Sequence, residues 1–321
     1  MKWSLAIHGG AGIIERGDMT PEREAEYRAG LSAALSAGEK ILSKGGTSLN
    51  AVEASVRTLE DNPIFNAGRG AVFTEKKTIE LDAAIMDGKT AKAGAVATVT
   101  RTKNPISLAR AIMEQSNRLF LAGEGADDFS IAHGLEQVQP HYFHTELRLA
   151  QYEKWRAKQI DKLNKSHIMG TVGAVALDCD GNLAAATSTG GTTGKICGRI
   201  GDTPIIGAGT TAINGIAAVS CTGTGEYFIR ESAARQICDR IKWNGQNIHS
   251  AAYDVIMAIG EIGGDGGLIA MDANGDVAFA INDMGMYRGW VADGRAAQTS
   301  IYPDDVLKSE GREGRTSKEM H

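Results

Sequence analysis

Three threonines carry the chemistry this sequence offers most plainly. Thr171 follows Gly170, Thr189 precedes Gly190-Gly191 and Thr222 precedes Gly223, each at an end of an apolar run. Glycine beside a strand end lets backbone and ligand approach closely, so three hydroxyls in this setting can converge on one site. Converging hydroxyls suit nucleophilic chemistry, where one attacks and its neighbours orient it. Threonine also favours strands because β-branching suits the pleat, so no single one carries the argument and only their joint context does.

Other chemistries lack the residues they need. No GxG completes GxGxxG, and Gly223-Thr224-Gly225 runs on into Glu226-Tyr227-Phe228. Gly88-Lys89-Thr90 ends like a phosphate-binding loop, but its first glycine would fall at Ala83. His141 and His144 form an isolated HxxH with no third ligand spaced to complete a shell. GxSxG and SxxK are absent, so the familiar serine nucleophiles are excluded. The charge balance, 34 basic against 39 acidic residues for a net −5, has no basic run to bind nucleic acid. No apolar window approaches the ~20 residues of a membrane span, and the first ten residues read as a strand, not a secretory leader. Cys179, Cys197, Cys221 and Cys238 are scattered, which suits a reducing cytoplasm.

The elements that must position the threonines are legible in outline. Of 321 residues 40 are glycine, clustered at the ends of apolar runs instead of repeating, which excludes collagen and solenoids. A first strand leads into a helix capped by Thr20-Pro21, and Ser48 caps a second that ends before Pro63. A loop from Asn62 to Gly70 follows. A hairpin is expected over 78–87 and 91–100, then helices near 105–116 and 124–134. From 145 to 170 the chain turns polar and reads as a partly helical, flexible linker. Strands restart at Thr171 and again before Thr189, then near 215–221, with helices at 225–241 and 247–260. Strands near 267–272, 276–282, 286–291 and 297–302 finish the second half. Antiparallel strand pairs with helices between them predict an α+β fold, an αββα four-layer sandwich.

Six strings then carry a resemblance: His-Gly-Gly-Ala-Gly at 8–12, Asn-Ala-Gly-Arg-Gly-Ala-Val-Phe-Thr at 66–74, Gly-Thr-Val-Gly-Ala-Val-Ala-Leu-Asp at 170–178, Thr-Ser-Thr-Gly-Gly at 187–191, Gly-Arg-Ile-Gly-Asp at 198–202 and Ser-Cys-Thr-Gly-Thr-Gly-Glu at 220–226. Together they closely resemble the isoaspartyl peptidases, or plant-type L-asparaginases, of the N-terminal nucleophile hydrolases. The resemblance implies one domain over 1–321 that cuts itself between Gly170 and Thr171, leaving an α subunit of 1–170 and a β subunit of 171–321. It implies hydrolysis of β-aspartyl dipeptides and L-asparagine with release of L-aspartate. Two readings stay open beside it: glycosylasparaginase, and an unprocessed binding relative.

By the same resemblance Thr171 is the nucleophile, and its freed α-amine, with a reference pKa of ~7.7–8.0, accepts the hydroxyl proton. Thr189 orients the Thr171 hydroxyl, while Thr222 and the Gly223 N–H receive the oxyanion. Arg199 grips a substrate carboxylate and Asp202 an ammonium. Asn66 lies near the site. Backbone carbonyls of Leu59, Glu60, Asn62, Phe65, Ala67 and Arg69 correspond to a structural sodium loop; no cofactor is implied for catalysis. A homodimer of αβ units is the family's habit. Thr192-Thr193-Gly194-Lys195 departs from the Met-Thr-Asn-Lys often found at this place, in a loop that shapes substrate preference.

Overall fold

In the computed structural model, residues 2–12, 14, 16–160, 170–305 and 307 are described. The first half runs β1 (Ser4–Gly12), α1 (Pro21–Leu42), α2 (Ser48–Asp61), β2 (Leu81–Asp87), β3 (Ala93–Val99), α3 (Pro105–Gln115), β4 (Phe120–Ala122), α4 (Gly123–Ala132) and α5 (Glu146–Ile160). The second runs β5 (Val172–Leu177), β6 (Leu183–Thr189), β7 (Thr210–Ile213), β8 (Ala217–Gly223), α6 (Gly225–Glu231), α7 (Ala233–Asn244) and α8 (Ile248–Glu261). It closes with β9 (Gly266–Asp272), β10 (Val277–Ile281), β11 (Gly285–Ala292) and β12 (Gln298–Ser300).

The two halves interleave in one sheet. Its order is β12-β11-β1-β5-β6-β2-β3-β4, so β5, which opens the second half, pairs antiparallel with β1 on one side and β6 on the other. A second sheet runs β10-β9-β8-β7 and belongs wholly to the second half. The large sheet places Val172 opposite Ser188 and Thr189 opposite Asp82, which brings the start of β5 and the end of β6 to the same sheet edge. Strand β1 slips register between His8 and Gly10, a bulge that kinks it beside Thr171.

Alternation sorts the strand side chains to two faces. Leu5 and Ile7 of β1 point to one side and pack with Leu31, Leu35, Val52, Val56 and Ile106 of the three helices α1, α2 and α3. Ala6, Val175 and Leu177 point to the other and meet Ile269 and Met271 of the small sheet. Helices α7 and α8 cover that sheet's far face through Ile237, Val255 and Ile259 against Val219 and Leu268. The protein is a mixed α+β fold of sheets and helices.

Several boundaries differ from expectation. Thr47, not Ser48, caps α2, its side chain accepting from the Asn50 N–H, while the Ser48 N–H goes to Asp178. The helix expected over 225–241 breaks at Ser232, which takes a left-handed conformation with φ 48° and ψ 48°. β4 and β7 escaped the pattern because three and four residues are too few for a periodicity. The segment 145–170, expected to be a partly helical, flexible linker, does hold a helix, α5, but one docked on the core, with Arg148 and Tyr152 buried. The rest of that expectation, 161–169, lies outside the described residues.

Candidate active site

Thr171 stands at the entry to β5, 6% exposed, and its hydroxyl donates to the Thr189 Oγ1 at 3.0 Å. Thr189 Oγ1 in turn donates to the Gly170 carbonyl at 3.1 Å and accepts the Gly191 N–H at 3.0 Å. A hydroxyl has one proton and two lone pairs, so Thr189 is fully used and its proton can point only at the carbonyl of the Gly170–Thr171 bond. Asn66 supplies a second donor: its Nδ2 reaches the same Gly170 oxygen at 2.7 Å and the Gly191 oxygen at 2.6 Å. Its Oδ1 accepts from the Val72 N–H at 3.0 Å, which fixes the amide's orientation. The peptide between Gly170 and Thr171 is thus gripped at its carbonyl by two donors with a threonine hydroxyl adjoining. Gly10 makes room for it: φ is +108°, and a Cβ there would fall 2.8 Å from the Gly170 Cα.

A buried polar chain holds Thr171 from the other side. His8 Nδ1 lies 3.1 Å from the Thr171 carbonyl oxygen, and Nε2 lies 2.9 Å from Ser220 Oγ. A carbonyl only accepts, so Nδ1 carries the proton and Nε2 must accept from Ser220. Ser220 then accepts from Thr187 at 2.7 Å, and Thr187 from Thr210 at 2.7 Å. The direction of every proton follows from a neutral imidazole, and burial does push the His8 pKa down to about 3. His8, Thr187, Thr210 and Ser220 were not singled out in the sequence. His8 sits in the quoted His-Gly-Gly string, but nothing local to it shows a partner 163 residues away.

The remaining expected residues surround the same end of the sheets. The Thr222 hydroxyl accepts the Ala11 N–H at 3.3 Å, and Gly223 follows with φ +152°. Asp202 is 4% exposed and its Oδ2 has no hydrogen-bond partner. Burial pushes its pKa up to about 6, with Arg199 pulling the other way. Arg199 forms a two-bond fork with Glu226, at 2.9 and 2.8 Å, so a carboxylate already occupies the guanidinium. Its pKa is raised: burial opposes the charge, but the Glu226 hydrogen bonds and charge outweigh it. The site therefore presents a carboxylate-binding fork, held by Glu226, beside a buried carboxylate with a vacant acceptor.

Residues 1–301 match the family profile described as Asparaginase. The chain belongs to the asparaginase family. Among its relatives, an isoaspartyl peptidase of Escherichia coli K12 is 50% identical over 306 residues, covering 93% of this chain and 95% of that protein. A putative isoaspartyl peptidase/L-asparaginase of Dictyostelium discoideum is 45% identical, over 89% of this chain and 92% of that one. A plant-type L-asparaginase of Thermococcus kodakarensis is 42% identical, over 91% and 97%.

In this asparaginase-family chain the 59–69 segment curls back on the C-terminal end of α2. A Cβ on Gly68 would lie 2.6 Å from the Glu60 carbonyl oxygen. The loop backbone thus meets the end of a helix that carries partial negative charge. The Glu60 side chain is fully buried; Oε1 accepts from Ser188 Oγ at 2.7 Å and the Ile106 N–H at 3.0 Å, and Oε2 has no partner. Burial pushes its pKa up to about 8, so it holds a proton at neutral pH. Among the described residues no three His, Cys, Asp or Glu side chains are grouped to hold a metal, and no helix is long and apolar enough to cross a membrane.

Proposed function

We propose that this chain is a self-processing threonine amidohydrolase that hydrolyses β-aspartyl dipeptides and L-asparagine, releasing L-aspartate. The observation that carries the reading is the Gly170–Thr171 peptide, held at its carbonyl by Asn66 and Thr189 with the Thr171 hydroxyl donating to Thr189. In processing, Thr171 Oγ attacks the Gly170 carbon and its proton passes to Thr189, whose own proton goes to the developing oxyanion. The C–N bond then breaks as the proton held on that oxygen passes to the nitrogen and the carbonyl re-forms, and water hydrolyses the resulting ester. The products are an α subunit ending at Gly170 and a β subunit beginning with the free amine of Thr171.

In turnover that amine takes the Thr171 Oγ proton and later delivers it to the leaving nitrogen. The oxyanion of the substrate meets the Thr222 hydroxyl and the Gly223 N–H. Arg199 exchanges Glu226 for the substrate carboxylate and the open oxygen of Asp202 receives the ammonium, both attached to the aspartyl portion. Three core layers support the finer fold reading, an αββα sandwich. A sodium ion on the carbonyls of Leu59, Glu60, Asn62, Phe65, Ala67 and Arg69 would fix the loop bearing Asn66, with no step passing through it. A homodimer of αβ units, working in the cytoplasm with its four cysteines free, completes the reading.

Denaturing mass measurement with N-terminal sequencing tests it. Two fragments are expected, one starting Thr-Val-Gly-Ala at Thr171, together with aspartate release from β-aspartyl dipeptides. Thr171→Ala should stay one chain of 33.9 kDa without activity. Two subunits from that variant would remove Thr171 as the nucleophile.

A further inference from the structure

Self-cleavage and turnover share the Thr171 hydroxyl but not its oxyanion donors. The Gly170 carbonyl is met by the Asn66 amide and the Thr189 hydroxyl, whose other partners are Val72, Thr171 and Gly191. The oxyanion of a bound substrate instead falls to Thr222 and Gly223, where β8 ends. Residues 222–226 gather the substrate site into one short segment. After the two oxyanion donors, Gly225 packs on Asp202, where a Cβ would fall 2.7 Å from Oδ1, and Glu226 forks Arg199 at 2.9 and 2.8 Å. Whatever fixes this segment therefore bears on turnover and leaves the grip on the Gly170 carbonyl alone.

The string Gly263-Gly264-Asp265-Gly266-Gly267 lies against it and brings one acid among four glycines. Gly223 pairs with Gly266 of β9, and the strands run so close that a Cβ on Gly223 would fall 2.8 Å from the Gly266 Cα. Both glycines take positive φ, +152° and +149°, and the crossing has no side chain of its own to lock it. The lock comes from the next residue on each strand. The Thr224 N–H donates to the Asp265 carbonyl at 2.9 Å, and the Thr224 hydroxyl donates to the Asp265 carboxylate. A charged acceptor makes that second bond the stronger kind. Asp265 is itself mounted firmly: Asn282 Oδ1 accepts the Gly266 N–H at 2.8 Å, and Asn282 Nδ2 donates to the Gly264 carbonyl at 3.1 Å. A carboxylate on fixed backbone thus reaches the residue that follows the oxyanion N–H.

We infer that Asp265 is a positioning residue for turnover: through the Thr224 hydroxyl it holds the Gly223 N–H on the substrate oxyanion, and self-cleavage proceeds without it. The inference rests on the threonine amidohydrolase reading. Its test measures both reactions in the same variants, self-cleavage by denaturing mass measurement and turnover by aspartate release from L-asparagine. Asp265→Ala removes the carboxylate and leaves the Thr224 N–H bonded to backbone. Misplacing a reacting group by about 1 Å costs ~10²-fold, and the remaining bond limits the slack, so kcat should fall about tenfold. KM should stay within about threefold, because the lost alignment serves the transition state, and self-cleavage within about twofold of wild type. Asp265→Asn keeps an acceptor for the hydroxyl and should restore kcat to within about threefold. Thr224→Val should match Asp265→Ala, and the double variant should lose no more than either alone. An unchanged kcat in Asp265→Ala, self-cleavage slowed as much as turnover, or Asp265→Asn as poor as Asp265→Ala would each overturn the positioning role. A wild-type chain that neither cuts itself nor releases aspartate overturns the amidohydrolase reading, and the positioning role with it.

Discussion

Asn66 offers the sharpest perturbation, because one side chain serves processing and architecture through different atoms. Its Nδ2 protons go to the carbonyls of Gly170 and Gly191, at 2.7 and 2.6 Å, while Oδ1 takes the Val72 N–H. Asn66→Asp keeps the shape and the acceptor facing Val72 but turns the donor facing Gly170 into an acceptor. A preorganised donor to a developing oxyanion is worth ~3–4 kcal/mol, so self-cleavage should slow by ~10²–10³. Leaving the Gly191 carbonyl unpaired costs a further ~1–3 kcal/mol, but in stability rather than rate. The two effects separate in one experiment. Purified precursor is followed by denaturing mass measurement as the 33.9 kDa chain disappears, at a temperature where circular dichroism shows the variant folded. Processing within about twofold of wild type by folded Asn66→Asp would refute the assignment of Asn66 to the scissile carbonyl, since no donor of ~3 kcal/mol can be removed that quietly.

Arg199→Lys retains charge but loses the fork, and should raise KM for L-asparagine by about tenfold or more, ~1.4 kcal/mol or above; steady-state kinetics with an unchanged KM would take Arg199 out of the site. Asp202, held up to about 6 by burial, must be ionised to receive an ammonium. Below that pH both it and the Thr171 amine are protonated, so log kcat/KM should fall with a slope near two, easing to about one in Asp202→Asn. Glu60 keeps its proton up to about 8 when folded but loses it near 4.5 when unfolded. Between those values the unfolded chain binds fewer protons, so Glu60 makes stability decline as pH rises through the window. Asp202 contributes the same sign up to about 6, so Glu60→Gln should reduce the slope in thermal melts most clearly between about pH 6 and 8, and an unchanged slope there would exclude Glu60 as its source.

Local pattern was enough for much of the framework. The apolar runs of β5 and β6, the cap at Thr20 and the glycine stops depend on neighbours within a few residues, and such short-range rules read directly from the chain. The three threonines were visible for the same reason, each at the junction of an apolar run and glycine. Element ends decided by distant contacts were not visible: Ser232 breaks a helix, and α5 is docked through Arg148 to carbonyls 78 and 84 residues away.

The site shows the same division. Residue types and order indicated which groups could attack, orient and grip, and motif resemblance attached roles to them. Only the tertiary structure decided that Thr189 is saturated and aimed at the Gly170 oxygen, that Glu226 already fills the Arg199 fork, and that His8 is a neutral donor to Thr171. Those facts turn on contacts that span 19, 27 and 163 residues of chain and on burial, which sets proton positions and pKa values. Sequence carries the inventory of groups; the direction of a hydrogen bond and the cost of a buried charge exist only once the chain has closed around them.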